Sequence, residues 1–376
     1  DVNGAINIAD DSAYQINGIP VLRTQQVNRS GFSFTNLYLG PGAGQSNNTG
    51  YSNHFVGYQA GQSNTRGFEN HFSGYRAGLQ NTTGEFNHFS GFEAGYSNTI
   101  GRGNYFSGYR AGFANTTGSF NHFSGLSAGS GNRTGSQNYF SGRAAGLSNS
   151  TGSENVYIGA FAGINVNFTN AIAIGYQAVA RGDNTVTIGN SNHTSIGGYA
   201  PWSNLSDGRF KRVVAEDVPG LDFVTRLRPV SYQVDRTALQ AFLKGEEIQN
   251  GKTAQDQPRE TGFIAQEVEE VAEALGYTFN GIIQPQSEND HYQLSYATFV
   301  VPLVQAVQEQ QELIESQENQ IKKQQAQIEE LQAENSRMSQ QNALQQAYFK
   351  KLESRLQVLE SKSLSSPTDA LSQQQP

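Results

Sequence analysis

A repeat of 17 residues runs from about residue 37 to residue 163 and restricts the folds open to this half of the chain. Glycine, asparagine and aromatic positions recur together at this spacing, with glycines in three separate phases. The asparagine phase comprises Asn53, Asn70, Asn87, Asn104, Asn121, Asn138 and Asn155, and the aromatic phase comprises Phe55, Phe72, Phe89, Phe106, Phe123, Phe140 and Tyr157. A unit of this length is too short for a helix pair, so each repeat is predicted to be one rung of stacked β-structure with two short strands and tight turns.

Stacked rungs bring identical residues over one another at about 4.8 Å per step, so the asparagine and aromatic phases are expected to form ladders. The pattern leaves open whether the aromatic ladder lines a core within one chain or faces neighbouring chains. A histidine phase, His54, His71, His88 and His122, is interrupted by Tyr105 and Tyr139. A metal ladder on a three-fold axis is conceivable there, but the exchange of histidine for tyrosine favours a half-buried polar stripe.

Both flanks of the repeat differ from its interior, as the ends of a stack must. Residues 1–36 are predicted to form a β-rich cap or connector, with two strands joined at the turn Asn17-Gly18. After residue 164 the glycine spacing shortens to 14, as in Gly175 and Gly189. Residues 165–198 resemble the head repeats of YadA-like trimeric autotransporter adhesins. That resemblance implies a parallel β-roll shared by three chains, of which the 17-residue units look like a longer-rung relative.

Charge and composition exclude several classes of partner. The chain has a net charge of −8, and its acidic excess lies in the half after residue 205. Without a basic face, nucleic acid is not an expected partner. No run of about 18 apolar residues occurs, so no membrane-spanning helix is expected. The absence of cysteine excludes disulfides and thiolate metal sites.

Ser206-Asp207-Gly208-Arg209-Phe210-Lys211 marks the border between the repeats and a different kind of sequence, since Lys211 is the first lysine of the chain. A hydroxyl and an amine five positions apart can serve as a serine nucleophile and its lysine base. Spacing alone favours a surface turn that opens a domain, because Ser-Asp-Gly is common turn chemistry.

Four motifs in order resemble the endosialidase-type intramolecular chaperone domain, which occurs at the C-terminus of phage tail fibres and tailspikes and in some membrane-bound transcription factors. The motifs are Ser206–Lys211, Leu227–Tyr232, Gly262–Val268 and Leu294–Tyr296. The resemblance implies a trimeric folding aid that assembles the preceding fibre and then cuts the chain before the motif serine. The scissile bond would be Leu205–Ser206, with Ser206 as nucleophile and Lys211 as general base.

The same resemblance gives supporting positions to Asp207 and Arg209. Asp207 is expected to orient the turn or its basic side chains rather than to act as a base. A lysine accepts a proton only as the neutral amine, and burial favours that form. Trimer assembly would supply the burial, so cleavage would follow correct assembly.

Residues 206–298 are predicted to form an α+β domain. Its predicted elements are a short helix within 213–227 broken at Pro219-Gly220, a strand at 230–234, a helix at 264–275, a strand at 292–294, and a loop at 246–259.

Residues 299–360 keep one heptad phase and are predicted to form a trimeric coiled coil. Polar residues at some a and d positions interrupt the hydrophobic seam. They are expected to fix the register of the chains at a cost in stability. The a positions are Val300, Val307, Ile314, Ile321, Ile328, Asn335, Asn342, Phe349 and Leu356, and the d positions are Leu303, Gln310, Gln317, Gln324, Leu331, Met338, Gln345, Leu352 and Leu359. The tail, residues 361–376, is rich in Ser, Gln and Pro and is expected to be disordered.

The sequence therefore predicts a mainly β repeat shaft or head at residues 37–205, followed by the α+β domain and the coil. The expected function is an extracellular homotrimeric fibre, on a virion tail or a bacterial surface, that binds a host or surface glycan or protein and needs no cofactor or metal. Self-cleavage is the single enzymatic activity in question.

Two alternatives stay open. One is a bacterial adhesin or filament subunit that keeps its chaperone. The other is a polysaccharide-degrading tailspike, although the candidate acids Glu69, Glu85, Glu93 and Glu154 do not share one phase.

Overall fold

A computed structural model describes residues 13–244, 258–286 and 290–363 of the protein. The chain divides into two compact units, each assembled from separate segments. The first lies within Asp1–Lys211, Ser231–Gly262 and Gln284–Tyr292, and the second within Arg212–Val230, Phe263–Ile283 and Gln293–Pro376.

Three antiparallel strands precede the repeats: β1 (Ala13–Ile16), β2 (Ile19–Arg29) and β3 (Phe32–Leu39). Asn17 and Gly18 join the first two with φ angles of 52° and 76°, which is the left-handed geometry of a tight hairpin turn. The predicted strand, turn and strand are confirmed, whereas the third strand was not predicted. The part of the predicted cap before Ala13 lies outside the described residues.

The repeats form a β-solenoid in which nine strands of three residues each follow β3 in parallel register. These are β4 (His54–Val56), β5 (His71–Ser73), β6 (His88–Ser90), β7 (Tyr105–Ser107), β8 (His122–Ser124), β9 (Tyr139–Ser141), β10 (Val156–Ile158), β11 (Ile172–Ile174) and β12 (Val186–Ile188). The register confirms the predicted stack. Phe55 lies opposite Phe72, Phe72 lies opposite Phe89, and the later members of the aromatic phase are paired in the same way.

Each rung holds one strand, so the expectation of two strands per rung was wrong. After β4 the backbone bends at Gly57, Gln59 and Gly61, whose φ angles are 132°, 54° and 57°. Such bends prevent a second extended stretch. The rest of the rung is held by turns that bond to the next rung, as where the Gly61 N–H donates to the Ala77 carbonyl at 2.9 Å.

The aromatic phase is the core of a single chain, which settles the alternative that the sequence left open. The rings from Phe55 to Phe140 are 0% exposed, and neighbouring rings are nearly parallel with centroids 4.7 to 4.9 Å apart. Tyrosines end the ladder, Tyr38 on one side and Tyr157 on the other. Gly61 must lack a side chain, because a methyl group there would lie 2.5 Å from the Phe55 ring.

Two buried asparagine ladders run beside the rings. In the predicted ladder, Asn70 Oδ1 accepts the Asn87 backbone N–H at 3.0 Å and Asn70 Nδ2 donates to the Gly84 carbonyl at 2.8 Å. The second ladder was not predicted, and in it Asn81 Nδ2 donates to Asn64 Oδ1 at 2.8 Å. Its members are Asn47, Asn64, Asn81, Asn98, Asn115, Asn132 and Asn149. These bonds satisfy amides that would otherwise be costly to bury.

The second half of the chain contains several short elements. They are α1 (Leu221–Val224), β13 (Val230–Tyr232), α2 (Arg236–Lys244), β14 (Glu260–Gly262), α3 (Ala265–Ala274), β15 (Ile282–Ile283), β16 (Gln293–Leu294) and a 3₁₀ turn (Tyr296–Phe299). Strands β13 and β14 pair, as do β15 and β16. The predicted helices and strands correspond to α1, β13, α3 and β16, with shorter bounds, whereas α2, β14 and β15 were not predicted. Most of the predicted loop at 246–259 lies outside the described residues.

Helix α4 (Val300–Ser363) is 64 residues long and carries the predicted heptads. The side chains at the a positions are not covered in the single chain, since Ile314 is 42% exposed and Ile321 is 62% exposed. This exposure is compatible with a coiled coil. The helix includes Ser361–Ser363, so the predicted disorder does not begin at Ser361, and the remaining tail lies outside the described residues. Within the described part of the chain, no helix is both long and apolar enough to cross a membrane.

Candidate functional site

The Ser206–Lys211 motif folds into a turn that brings its two proposed catalytic groups together. Lys211 Nζ lies 3.0 Å from Ser206 Oγ and donates a hydrogen bond to it. Both residues lie on exposed, irregular chain, and the neighbouring Leu205 side chain is 81% exposed.

Asp207 makes the turn through bonds to its own neighbours. Its carboxylate accepts the Arg209 backbone N–H at 2.8 Å and the Arg209 guanidinium at 2.6 Å. Its carbonyl accepts the Phe210 N–H at 3.0 Å. The side-chain bond from Arg209, followed by the backbone bond, lowers the pKa of Asp207. Asp207 is thus engaged with Arg209 and orients the turn.

The distance between Lys211 and Ser206 allows a proton to pass between amine and hydroxyl, which is the geometry that general-base catalysis needs. As an ammonium, Lys211 only donates to Ser206 and leaves the hydroxyl a weak nucleophile. Burial is what favours the neutral amine. The pair is exposed among the residues that the structure describes, so the burial would have to come from contacts beyond those residues.

Residues from the other three motifs contact one another in the second unit. Arg228 from the second motif pairs with Glu267 from the third, with Nε 3.0 Å from Oε2. The hydrogen bond from Arg228 lowers the pKa of Glu267. Tyr296 from the fourth motif accepts the Phe263 backbone N–H on its hydroxyl at 3.0 Å. These two contacts therefore hold the three motifs together, and neither pair forms a reactive group.

Aromatic rings fill the core of this unit. The Phe263 and Phe299 rings lie 5.3 Å apart, and Phe223 and Phe279 pack at 5.1 Å. Phe223 is fully buried. The core joins α1, α3 and the start of α4 into one small body.

Glu309 on α4 was missed by sequence reasoning. Its carboxylate accepts the Leu221 N–H at 2.7 Å, at the beginning of α1, and this bond is the main cause of its lowered pKa. A methyl group on Gly220 would lie 2.7 Å from the Ala306 backbone nitrogen and equally close to the Glu309 carboxylate. The Pro219-Gly220 pair was the available signal, since glycine there permits the close approach of α4.

The histidine phase is half-buried along the solenoid. The Nδ1 atoms of His54 and His71 lie 3.1 Å apart, and the rings of His71 and His88 stack at 4.8 Å. Burial lowers the pKa of His71, His88 and His122. Among the described residues, no three His, Asp or Glu side chains are grouped to hold a metal.

Two of the four candidate acids of the solenoid, Glu85 and Glu93, pair with basic residues. Glu93 lies 3.0 Å from Arg110, and Glu85 lies 3.8 Å from Arg102, each one rung away. Both carboxylates are thus used in links between rungs, and this geometry gives no support to a sugar-cleaving pair.

In comparisons with known proteins, one segment of the chain matches a family model. No curated protein and no solved structure matches the chain. Residues 206–277 match the family model described as chaperone of endosialidase, as the motifs predicted. The chain thus combines a β-solenoid, consistent with a tail-fibre-like protein, with a segment that is similar to the chaperone of endosialidase family.

Proposed function

We propose that the chain is a trimeric fibre protein of the tail-fibre type, in which the solenoid is the shaft and the segment after Leu205 directs assembly. The observation that carries the proposal is the chaperone family match at residues 206–277, which follows a solenoid of similar stacked layers. A virion tail or a bacterial surface is the proposed location, and a host or surface glycan or protein is the proposed receptor.

Helix α4 supports assembly of several chains through a coiled coil. Its exposed a positions carry isoleucine or valine in the first five heptads, and its d positions include three consecutive glutamines. Polar core layers of this kind select register and oligomeric state at a cost in stability. Arg355 and Glu360 take g and e positions of successive heptads, so they attract one another between parallel chains.

The proposed cleavage uses the Ser206 hydroxyl on the peptide bond that precedes it. Lys211, as the neutral amine, removes the hydroxyl proton while Oγ attacks the Leu205 carbonyl carbon. The bond from that carbon to the Ser206 nitrogen breaks, and the nitrogen takes the proton to become a free amine. Water then hydrolyses the ester, which leaves a carboxylate on Leu205 and restores the hydroxyl of Ser206.

Assembly would activate this site by burying it. The pair is exposed in one chain, so a neighbouring chain that covers Lys211 would favour its neutral form. Cleavage would then report that three chains have assembled.

Intact mass of the purified protein tests the proposal. We expect wild-type product that ends at Leu205. Ser206→Ala removes the nucleophile and should give only full-length chain, and Lys211→Ala should slow cleavage by about 100-fold or more. Full-length wild-type trimer would exclude cleavage.

One observation favours a second candidate function for the motif. The turn is already complete through the bonds between Asp207 and Arg209, so Ser206–Lys211 can act as a structural turn. The chaperone would then remain as a permanent trimeric base. Stable, uncleaved wild-type trimer is the outcome that this candidate predicts.

A further inference from the structure

The proposed cut at Leu205–Ser206 falls inside a compact unit rather than between two units. That unit combines the solenoid with segments that come after the cut, Ser231–Gly262 and Gln284–Tyr292. Breaking one peptide bond would therefore leave the contacts between these segments and the solenoid in place.

The principal contact centres on Arg181, which lies between β11 and β12 at the end of the solenoid. Its Nη1 donates to Asp290 Oδ1 at 2.8 Å, across 109 residues of sequence. Its two terminal nitrogens also lie 2.9 and 3.0 Å from the ring nitrogens of His291. We call Arg181, Asp290 and His291 the Arg181 clamp.

The clamp is partly removed from water, which makes it stronger than a surface ion pair. The Asp290 side chain is 9% exposed and that of Arg181 is 25% exposed. Burial raises the pKa of Asp290, but backbone N–H bonds from Gln286 and His291, together with Arg181, outweigh it, so the pKa is lowered. Burial, and then Arg181, lowers the pKa of His291. Asp290 is thus held as a carboxylate against the cation.

Two further contacts join the segments after the cut to the solenoid. Arg236 at the start of α2 donates to the Ser191 carbonyl at 2.5 Å, just after β12. Gln286 packs so closely on Gly182 that a methyl group at that glycine would collide with its side-chain amide. Residues of both post-cut segments therefore contact the last rungs of the solenoid.

From these contacts we infer that the cut fragment stays bound to the end of the solenoid, and that the Arg181 clamp controls its release as a second, separate step. The occupants of this solenoid surface are the chain's own residues Gln286, Asp290 and His291. The last rung of a solenoid presents unpaired strand edges, so a retained fragment would also cover the end of the shaft. The inference rests on the proposed function only for the position of the cut.

The test makes the cut without the Ser206–Lys211 pair. A recognition site for an external protease is inserted between Asn204 and Leu205 of the full chain carrying Ser206→Ala. After digestion, gel filtration in non-denaturing buffer is expected to show the two fragments eluting together. Arg181→Ala or Asp290→Asn in the same background should make the fragments dissociate at least about tenfold faster, since each leaves a partly buried charge without its partner.

Arg133→Ala is the matched control, because Arg133 is an exposed solenoid arginine that bonds only across one rung, to Ser150 at 3.1 Å. It should leave co-elution unchanged. If Arg181→Ala does not give soluble protein, Arg181→Lys keeps the charge but loses the two-nitrogen contact, and should give an intermediate dissociation rate.

Fragments that separate as soon as the parent is digested would overturn the inference. So would an Arg181→Ala or Asp290→Asn variant that stays bound as long as the parent. Failure of self-cleavage would show separately, as full-length protein with Ser206 intact, and it would not affect this result.

Discussion

At the scale of single residues, the solenoid repeats because each layer makes the same demands. Gly74 adopts a φ angle of 141°, and a methyl group there would collide with the Gly91 carbonyl in the next rung. Asn70 bridges two rungs through both ends of its amide. Each repeated sequence position therefore makes the same contact with the neighbouring rungs. Substitution of one such residue affects the rungs on both sides of it.

Phe89 and Phe86 offer a matched pair for testing the ring ladder. Phe89 is 0% exposed between two stacked rings, whereas Phe86 is 50% exposed. Phe89→Ala should lower the free energy of unfolding by about 3 to 5 kcal/mol, because it removes a buried ring and leaves a cavity. Phe86→Ala should cost less than about 1 kcal/mol. Thermal or chemical unfolding measures both, and equal losses would contradict the ladder as the main source of stability.

At the scale of secondary-structure elements, sequence reasoning worked where a pattern is local. The 17-residue period predicted the stacked rungs, Asn17-Gly18 predicted the first hairpin, and the heptad pattern predicted helix α4. Helix α2 was missed although a signal existed, since Asp235 caps it by accepting the Ala238 N–H at 2.8 Å. Strands β14 and β15 have two or three residues and form through distant pairing, which no local pattern reveals.

The candidate site likewise contains contacts between neighbours in sequence and contacts between distant residues. Ser206 and Lys211 lie within hydrogen-bond distance of each other, whereas their roles as nucleophile and base stay a prediction. The bond from Glu309 to α1 spans 88 residues and depends on how α4 packs, so it could not be predicted from neighbouring sequence.

The α4 seam provides a prediction at the element scale. Ile314→Asp or Ile321→Asp should prevent trimer assembly and leave the shaft insoluble, because three carboxylates would meet at one core layer. Ala326→Asp places the same charge at an outward f position and should assemble normally. Light scattering on the soluble fraction measures the assembly, and a soluble, correctly sized shaft from an Ile→Asp variant would remove the coil from the mechanism.

At the scale of the whole molecule, the chain combines a shaft of repeated layers with segments that contact the end of that shaft. The first compact unit includes residues from both sides of the Leu205–Ser206 bond. Shaft and C-terminal segments are therefore expected to fold together rather than in sequence.

Deletion of residues 206–376 tests this dependence. The shorter chain keeps every ladder but loses α4 and the Arg181 clamp, so we expect insoluble or monomeric shaft. Deletion of residues 364–376 alone, which follow α4, should leave assembly unchanged. Sedimentation of the soluble protein distinguishes the two, and a trimeric shaft from the longer deletion would show that the solenoid assembles without help.

Because the phenylalanine ladder is so uniform, the rungs of the shaft can also pair in a wrong register during folding. A chain displaced by one whole rung would still stack Phe on Phe and Asn on Asn, so mispaired arrangements lie close in energy to the correct one. The two ends of the ladder break this degeneracy. Tyr38 bonds to Gln25 at 3.1 Å at one end, and at the other the rungs shorten after Tyr157. A molecule built from near-identical layers thus gains from a guide at one end, since such a guide selects the pairing that the layers themselves scarcely distinguish.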